Sequence, residues 1–144
     1  MKNRSVPSDS VIPHISYQNV VEACEWLIRV FGFREAFRYG EPVSGVQVLL
    51  GQVCVMLHVA KEGSLTPAQL GYGTQMLTII VEDVDAHYVK TIAGGASIVE
   101  ELHETIYGER QYGVEDLAGH RWIFSRHAKD LDPADWGATV YQKQ

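Results

Sequence analysis

The feature that most constrains this chain is that its punctuation occurs twice. Asn19 stands before the run "VVEACEWLIRVF", and 64 residues later Asp83 stands before "VDAHYVKTIAGG". Both are good helix N-caps, because a short polar side chain can accept from the free N–H groups of the first turn. Gly32 and Gly95, which stop the two helical runs, are 63 residues apart; Gly51 and Gly119, in the last turn of each half, are 68 apart. Three independent marks at one near-constant spacing predict an internal repeat. The drift to 68 falls in the longer loop "HETIYGE" of the second half.

Both copies have the same order: a strand, a helix and three more strands. In the first, "VIPHISY" (residues 11–17) reads as a strand. Val20, Ala23, Leu27, Val30 and Phe31 share one face of the helix that follows, and Glu22 stands where a capping box needs it. Strands are predicted around 36–39, 46–50 and 53–59, then over 75–81, 96–102, 110–114 and 120–125 of the second copy. "AKEGSLTPAQLGYG" (residues 60–73) is rich in turn formers and reads as a linker or lid loop. The predicted organisation is a short disordered lead-in (1–10), one domain (11–128) and a C-terminal tail (129–144). The domain divides into module one (11–59), the linker (60–73) and module two (74–128). The expected fold class is α+β, with two βαβββ modules forming a curved mixed sheet around a cleft. Neither half can bury a sheet alone, so the two must share a core or a cleft.

Composition narrows the function classes. With 144 residues, 46% of them hydrophobic, the chain can build a core without disulfides. It has no long apolar run, so a membrane span is not expected. "MKNRSVPSDS" has Lys2 and Arg4 but no apolar segment behind them, unlike a secretory signal. A net charge of −6 disfavours phosphate backbones, so nucleic acid is not an expected partner. Cys24 and Cys54 form no C-x-x-C pair and read as buried free thiols of a cytoplasmic protein.

The stretch "YGERQYGVEDLAGHRWIFSRH" (107–127) resembles the "YG-x-R-x-Y…D-x-x-G-N/H-x-W-x-F" ending of the vicinal oxygen chelate superfamily. That group comprises glyoxalase I, bleomycin-resistance proteins and extradiol dioxygenases. "ACEWLIRVFGFRE" and "IIVEDVDAHYVKTIAGGASIVEEL" resemble its module openings, and the resemblance spans residues 11–127. The closing "DLDPADWGA" is similar to the tail of an antibiotic-binding branch near the bleomycin-resistance proteins. In metal-dependent members each module gives two ligands, one from its first strand and one, usually Glu, from its fourth. The matching positions here are Ile12, Met56, Met76 and Ile123, none of them His, Gln or Glu. The resemblance therefore implies a metal-free small-molecule binding protein without a cofactor, sequestering an antibiotic in an apolar cleft. It also implies a homodimer. An enzyme is disfavoured; the alternative is a metal-dependent lyase, isomerase or dioxygenase.

Strand alternation puts Ile12, His14, Ser16, Cys54, Met56 and His58 of module one on the cleft side. Met76, Thr78, Ile80, Arg121, Ile123 and Ser125 follow in module two. Trp122 and Phe124 should face the helices. His14 and His58 admit two readings: a displaced metal site with Cys54, or two imidazoles lining a pocket. His87, His103, His120 and His127 read as solvated or structural. Tyr107 and Tyr112 flank a loop expected to rim the cleft, and with Tyr39 and Trp136 they are candidates for stacking on a flat ligand. The expected ligand-binding set is His14, Ser16, Cys54, Met56, His58, Met76, Thr78, Tyr107, Tyr112, Arg121, Ile123 and Trp136. No nucleophile–base motif or phosphate loop is legible, so no catalytic residue is named.

Overall fold

A computed structural model describes residues 2–7 and 10–141. Module one comprises β1 (His14–Tyr17), α1 (Val20–Phe31), β2 (Arg34–Tyr39), β3 (Gly45–Leu50) and β4 (Val53–Val59). The linker holds α2 (Pro67–Leu70). Module two comprises β5 (Met76–Ile80), α3 (Val84–Ala93), β6 (Ser97–Glu104), β7 (Glu109–Glu115) and β8 (Arg121–His127). A 3-10 turn at Pro133–Trp136 follows.

The predicted caps are in place. Asn19 Oδ1 accepts from the Glu22 N–H at 3.0 Å, and Asp83 Oδ1 accepts from the Ala86 N–H at 3.0 Å. Gly32 ends α1 in the left-handed region at φ 84°, where a side chain would be strained. The strands form two four-stranded mixed sheets, ordered β1-β4-β3-β2 and β5-β8-β7-β6. In each, the first and last strands of the module pair in parallel and the other neighbours are antiparallel.

The two modules share one core on their helix sides. The α1 stripe of Val20, Ala23, Leu27, Val30 and Phe31 is fully or almost fully buried. The Phe31 ring meets Phe124 at 4.8 Å and Trp122 at 5.7 Å between centroids, joining the α1 layer to the second sheet. Helix meets helix as well: Arg29 donates to the Gly94 carbonyl at 3.2 Å, and a Cβ at Gly94 would press on Val30 Cγ2 at 3.0 Å.

Three stretches differ from the sequence reading, the first being the lead-in expected to be disordered, where Asn3 Oδ1 accepts from the Ser5 N–H at 2.9 Å in a local turn. The first strand begins at His14, not at residue 11. Pro13 has no N–H to extend the ladder, although its carbonyl still accepts from Met56 N at 2.9 Å. The linker is also more ordered than a plain loop. Thr66 and Gln69 form a reciprocal capping box around Pro67, so α2 is a capped single turn. Its Ala68 N–H donates to the Ala118 carbonyl at 2.9 Å, fastening the linker to module two.

Candidate functional site

Each sheet has one face on the shared core and one face free of helices. On the helix-free face of module one, His14 lies beside Met56 and Ser16 beside His58. Across β3, Leu49 opposes Cys54, Gln47 opposes Met56, and Gly45 opposes His58. In module two Met76 lies beside Arg121, Thr78 beside Ile123, and Ile80 beside Ser125. Gln111 opposes Ser125 and Gly113 opposes Ile123. Cross-strand neighbours share a face, so the alternation read from sequence holds in both modules.

Where the modules adjoin, a cavity of about 340 Å³ opens between β1 and the β5–β8 pair. His14 and Ser16 line one side; Met76, Arg121 and His120 line the other; Leu65, Leu70 and Tyr72 of the linker close it. A second cavity of about 730 Å³ shares Tyr72, Met76 and Arg121 and extends past Glu115. The structure therefore brings His14, Ser16, Met76 and Arg121 together. The lining is mixed: Leu65, Leu70 and Met76 stand beside His14, Ser16 and Arg121, so the cavity offers both apolar surface and polar groups to a small molecule. Leu65, Leu70 and Tyr72 were not expected here. Their signal was in the sequence: three large apolar side chains inside a Gly- and Pro-rich linker.

Beside this cavity, His14 Nδ1 and His58 Nε2 are 2.6 Å apart, with the rings nearly coplanar at 7°. Tyr39 Oη reaches His58 Nδ1 at 3.3 Å. Gly45 permits this, because a Cβ there would run into the Tyr39 ring. With both imidazoles neutral, one N–H lies between the two facing nitrogens. Burial, then the neighbouring His14 and Lys61 charges, push the His58 pKa below its ordinary value. The trio can pass a proton along a line, but its nitrogens face each other rather than one common point. Cys54, the proposed third ligand, is buried further along β4. Among the described residues, no three His, Cys, Asp or Glu side chains are grouped to hold a metal ion.

On module two the polar groups pair off. Glu109 accepts from His127 Nδ1 at 2.8 Å and from Ser125 Oγ at 3.5 Å. Arg121 meets Glu115 at 3.1 Å, and His103 meets Glu100 at 3.1 Å. Thr78 and Ile123 stand between these pairs on the same face. Tyr107 and Trp136 also come together, with centroids 5.7 Å apart, so the tail docks on the Tyr107 loop; neither ring lines the two cavities above. The Tyr107 hydroxyl donates to Gln111 Oε1 at 3.2 Å. Glu109, Gln111 and Gln47 are face residues that the sequence reading passed over.

Tyr112 is a correction. It was expected at the cleft rim but lies on the opposite face, fully buried. It opposes Phe124, and its hydroxyl bonds Thr91 Oγ1 at 2.8 Å and His87 Nδ1. Alternation with Val114 places it there, as Trp122 alternates with Phe124.

The registers also test the positions where relatives would hold a metal. Ile15 pairs with Leu57 in module one as Ile79 pairs with Phe124 in module two. Aligning those core pairs places Met56 on Ile123 and Ile12 on Met76. Two thioethers and two aliphatic chains do not fit a zinc or hard-cation centre, which needs converging imidazole or carboxylate ligands.

The paired βαβββ modules and their helix-free faces define the class. The profile of the Glyoxalase/Bleomycin resistance protein/Dioxygenase superfamily matches residues 11–124, and the chain belongs to this superfamily. Among solved structures it is similar to TioX from Micromonospora sp. ML1, with 33% identity, a TM-score of 0.71, and coverage of 83% of this chain and 99% of that one. A glyoxalase/bleomycin resistance protein/dioxygenase family enzyme from Burkholderia phytofirmans shares the fold at 20% identity and a TM-score of 0.62, covering 81% of this chain and 96% of that one. An uncharacterized protein of Mycobacterium bovis, Mb0911c, is 25% identical over 83% of this chain and 84% of its own length.

Proposed function

We propose that this protein is a metal-free small-molecule binding protein that sequesters an apolar, partly aromatic compound such as an antibiotic. One observation carries the reading: Ile12, Met56, Met76 and Ile123 stand where metal-dependent relatives would need carboxylates or imidazoles. That substitution turns a reaction centre into an apolar wall. Met suits such a wall because it adapts to irregular shapes. Met76 and Ile80 are 59% and 64% exposed in the single chain, so module two presents apolar surface ready to be covered. Fully burying each is worth about 1.5–3 kcal/mol before association costs. A second copy of the chain completes the cleft in this reading, which makes the working unit a homodimer.

A second reading, a lyase, isomerase or dioxygenase with a displaced metal centre, is favoured by the adjoining His14 and His58 rings. Elemental analysis of purified protein, followed by a calorimetric screen of aromatic and cationic antibiotics, separates the two. The binding reading predicts saturable heat with at least one compound and no stoichiometric metal. Near-stoichiometric zinc, nickel, manganese or iron, lost in His14→Ala and His58→Ala, contradicts it. Sedimentation as a monomer contradicts a cleft shared between copies.

A further inference from the structure

Gln47 sits in mid-β3, only 6% exposed, on the helix-free face of module one. A buried amide must find partners. Its Nε2 donates to the Ser5 carbonyl at 2.7 Å and contacts Met56 Sδ at 3.5 Å. Ser5 lies 42 residues upstream, so the N-terminal segment crosses the face that holds Cys54, Met56 and Gln47. The segment has local order: Asn3 Oδ1 accepts from the N–H groups of Ser5 at 2.9 Å and Val6 at 3.3 Å. This side-chain turn fixes the backbone on either side of the Ser5 carbonyl. Cys54 and Met56 are buried accordingly, whereas Met76 and Ile80 in module two stay open.

We infer that Gln47 is a specificity-determining donor of the binding face, and that residues 2–7 occupy it in the ligand-free protein. The Ser5 carbonyl stands in for a neutral oxygen acceptor of the ligand: an amide, ester or ketone on an apolar body. Neither Gln47 nor Met56 carries charge, so the acceptor they suit is neutral. Binding then requires the N-terminal segment to leave. This inference rests on the small-molecule binding reading.

The test follows scission of the Arg4–Ser5 bond by trypsin in the full-length protein, read by mass spectrometry. Loss of one buried hydrogen bond predicts scission roughly 3- to 10-fold faster in Gln47→Leu. Gln111→Leu, equally buried but in module two, leaves the rate unchanged. Melting by circular dichroism establishes that each variant is folded. Gln47→Glu, which keeps the size and removes the N–H donors, serves if Gln47→Leu is unstable. Two probes then test the acceptor. N-(1-naphthyl)acetamide binds the wild type and speeds scission; 1-ethylnaphthalene, which lacks the carbonyl, does neither to the same degree. Unchanged scission in the Gln47 variants overturns the inference whichever probe binds. Equal binding of both probes overturns the donor role and leaves the binding reading standing. Binding of neither overturns the inference, while the binding reading itself stands or falls on the antibiotic screen and the metal analysis.

Discussion

The Tyr17 hydroxyl donates to Asp116 Oδ2 at 2.7 Å, across the boundary between the two modules. Trp122 Nε1 reaches the same oxygen at 3.1 Å, and Asp116 Oδ1 accepts from the N–H groups of Ala118 at 2.9 Å and His120 at 3.0 Å. His120 in turn donates from Nε2 to the Ser16 carbonyl at 2.8 Å. One buried carboxylate thus closes the last turn of module two and holds β1 against it, which sets the wall of the cavity that His14 and Ser16 line.

Replacing that carboxylate leaves four donors unsatisfied. Asp116→Ala is expected to cost about 3 kcal/mol, and Tyr17→Phe about 1 kcal/mol. Denaturant unfolding measures both. Equal, small losses in the two variants would show that the module boundary is held by apolar packing alone.

Gly119 has φ 82°, and a Cβ there would sit 2.8 Å from Ala68 N. Gly119→Ala therefore meets both strain and a backbone clash, at a cost of about 1–3 kcal/mol. The linker helix α2 should lift off, taking Leu70 and Tyr72 from the cavity. Hydrogen exchange at the Ala68 amide reads this: its bond to the Ala118 carbonyl protects it in the wild type, and the variant should lose that protection.

His87 gives a pH dependence. Its Nε2–H donates to the Phe31 carbonyl at 2.8 Å, which leaves Nδ1 to accept from the Tyr112 hydroxyl. Burial is the main cause that lowers its pKa; the Phe31 bond opposes this and the Lys90 charge adds to it. The folded state therefore holds the neutral ring, while the unfolded chain takes a proton near pH 6.5. The His87 contribution is complete above about pH 6.5 and is lost as pH falls through that value towards the depressed folded pKa. Melting temperature against pH should fall over this window in the wild type and fall less in His87→Gln. Identical profiles would remove His87 as the cause.

Both thiols should be silent. Burial, then the neighbouring Glu35 carboxylate, raises the Cys24 pKa to about 11, and burial raises that of Cys54. The thiolate is the reactive form, so a thiol reagent at pH 8 should titrate neither cysteine in native protein and both after denaturation. Prompt reaction of Cys54 in the native state would mean that its face is open rather than covered.

Much of this was legible in the chain. The two copies of helix cap and glycine stop located both modules, because those residues act through local backbone geometry that does not depend on distant partners. Alternation put Cys54, Met56 and His58 on one face and Trp122 with Phe124 on the other for the same reason. Tyr112 went astray because the loop beside it outweighed its alternation with Val114. Gln47 was not legible, since its partner is a backbone carbonyl 42 residues away. Nor was the bond between His14 and His58, which depends on the β1–β4 register. The linker residues Leu65, Leu70 and Tyr72 needed the fastening of α2 to the Ala118 carbonyl before they could line anything.

The central claim is that Met76 stands in the wall of a small-molecule site and not in a vestige of a metal centre. Methionine methyl groups report on it directly, since the chain has only three: Met1, Met56 and Met76. In protein labelled with ¹³C at the methionine methyls, titration with a panel of aromatic antibiotics should shift the Met76 resonance saturably with at least one compound, and divalent zinc or manganese should leave it in place. A Met76 signal that ignores every organic compound, in a protein whose His14 and His58 resonances respond to stoichiometric metal, would contradict the account.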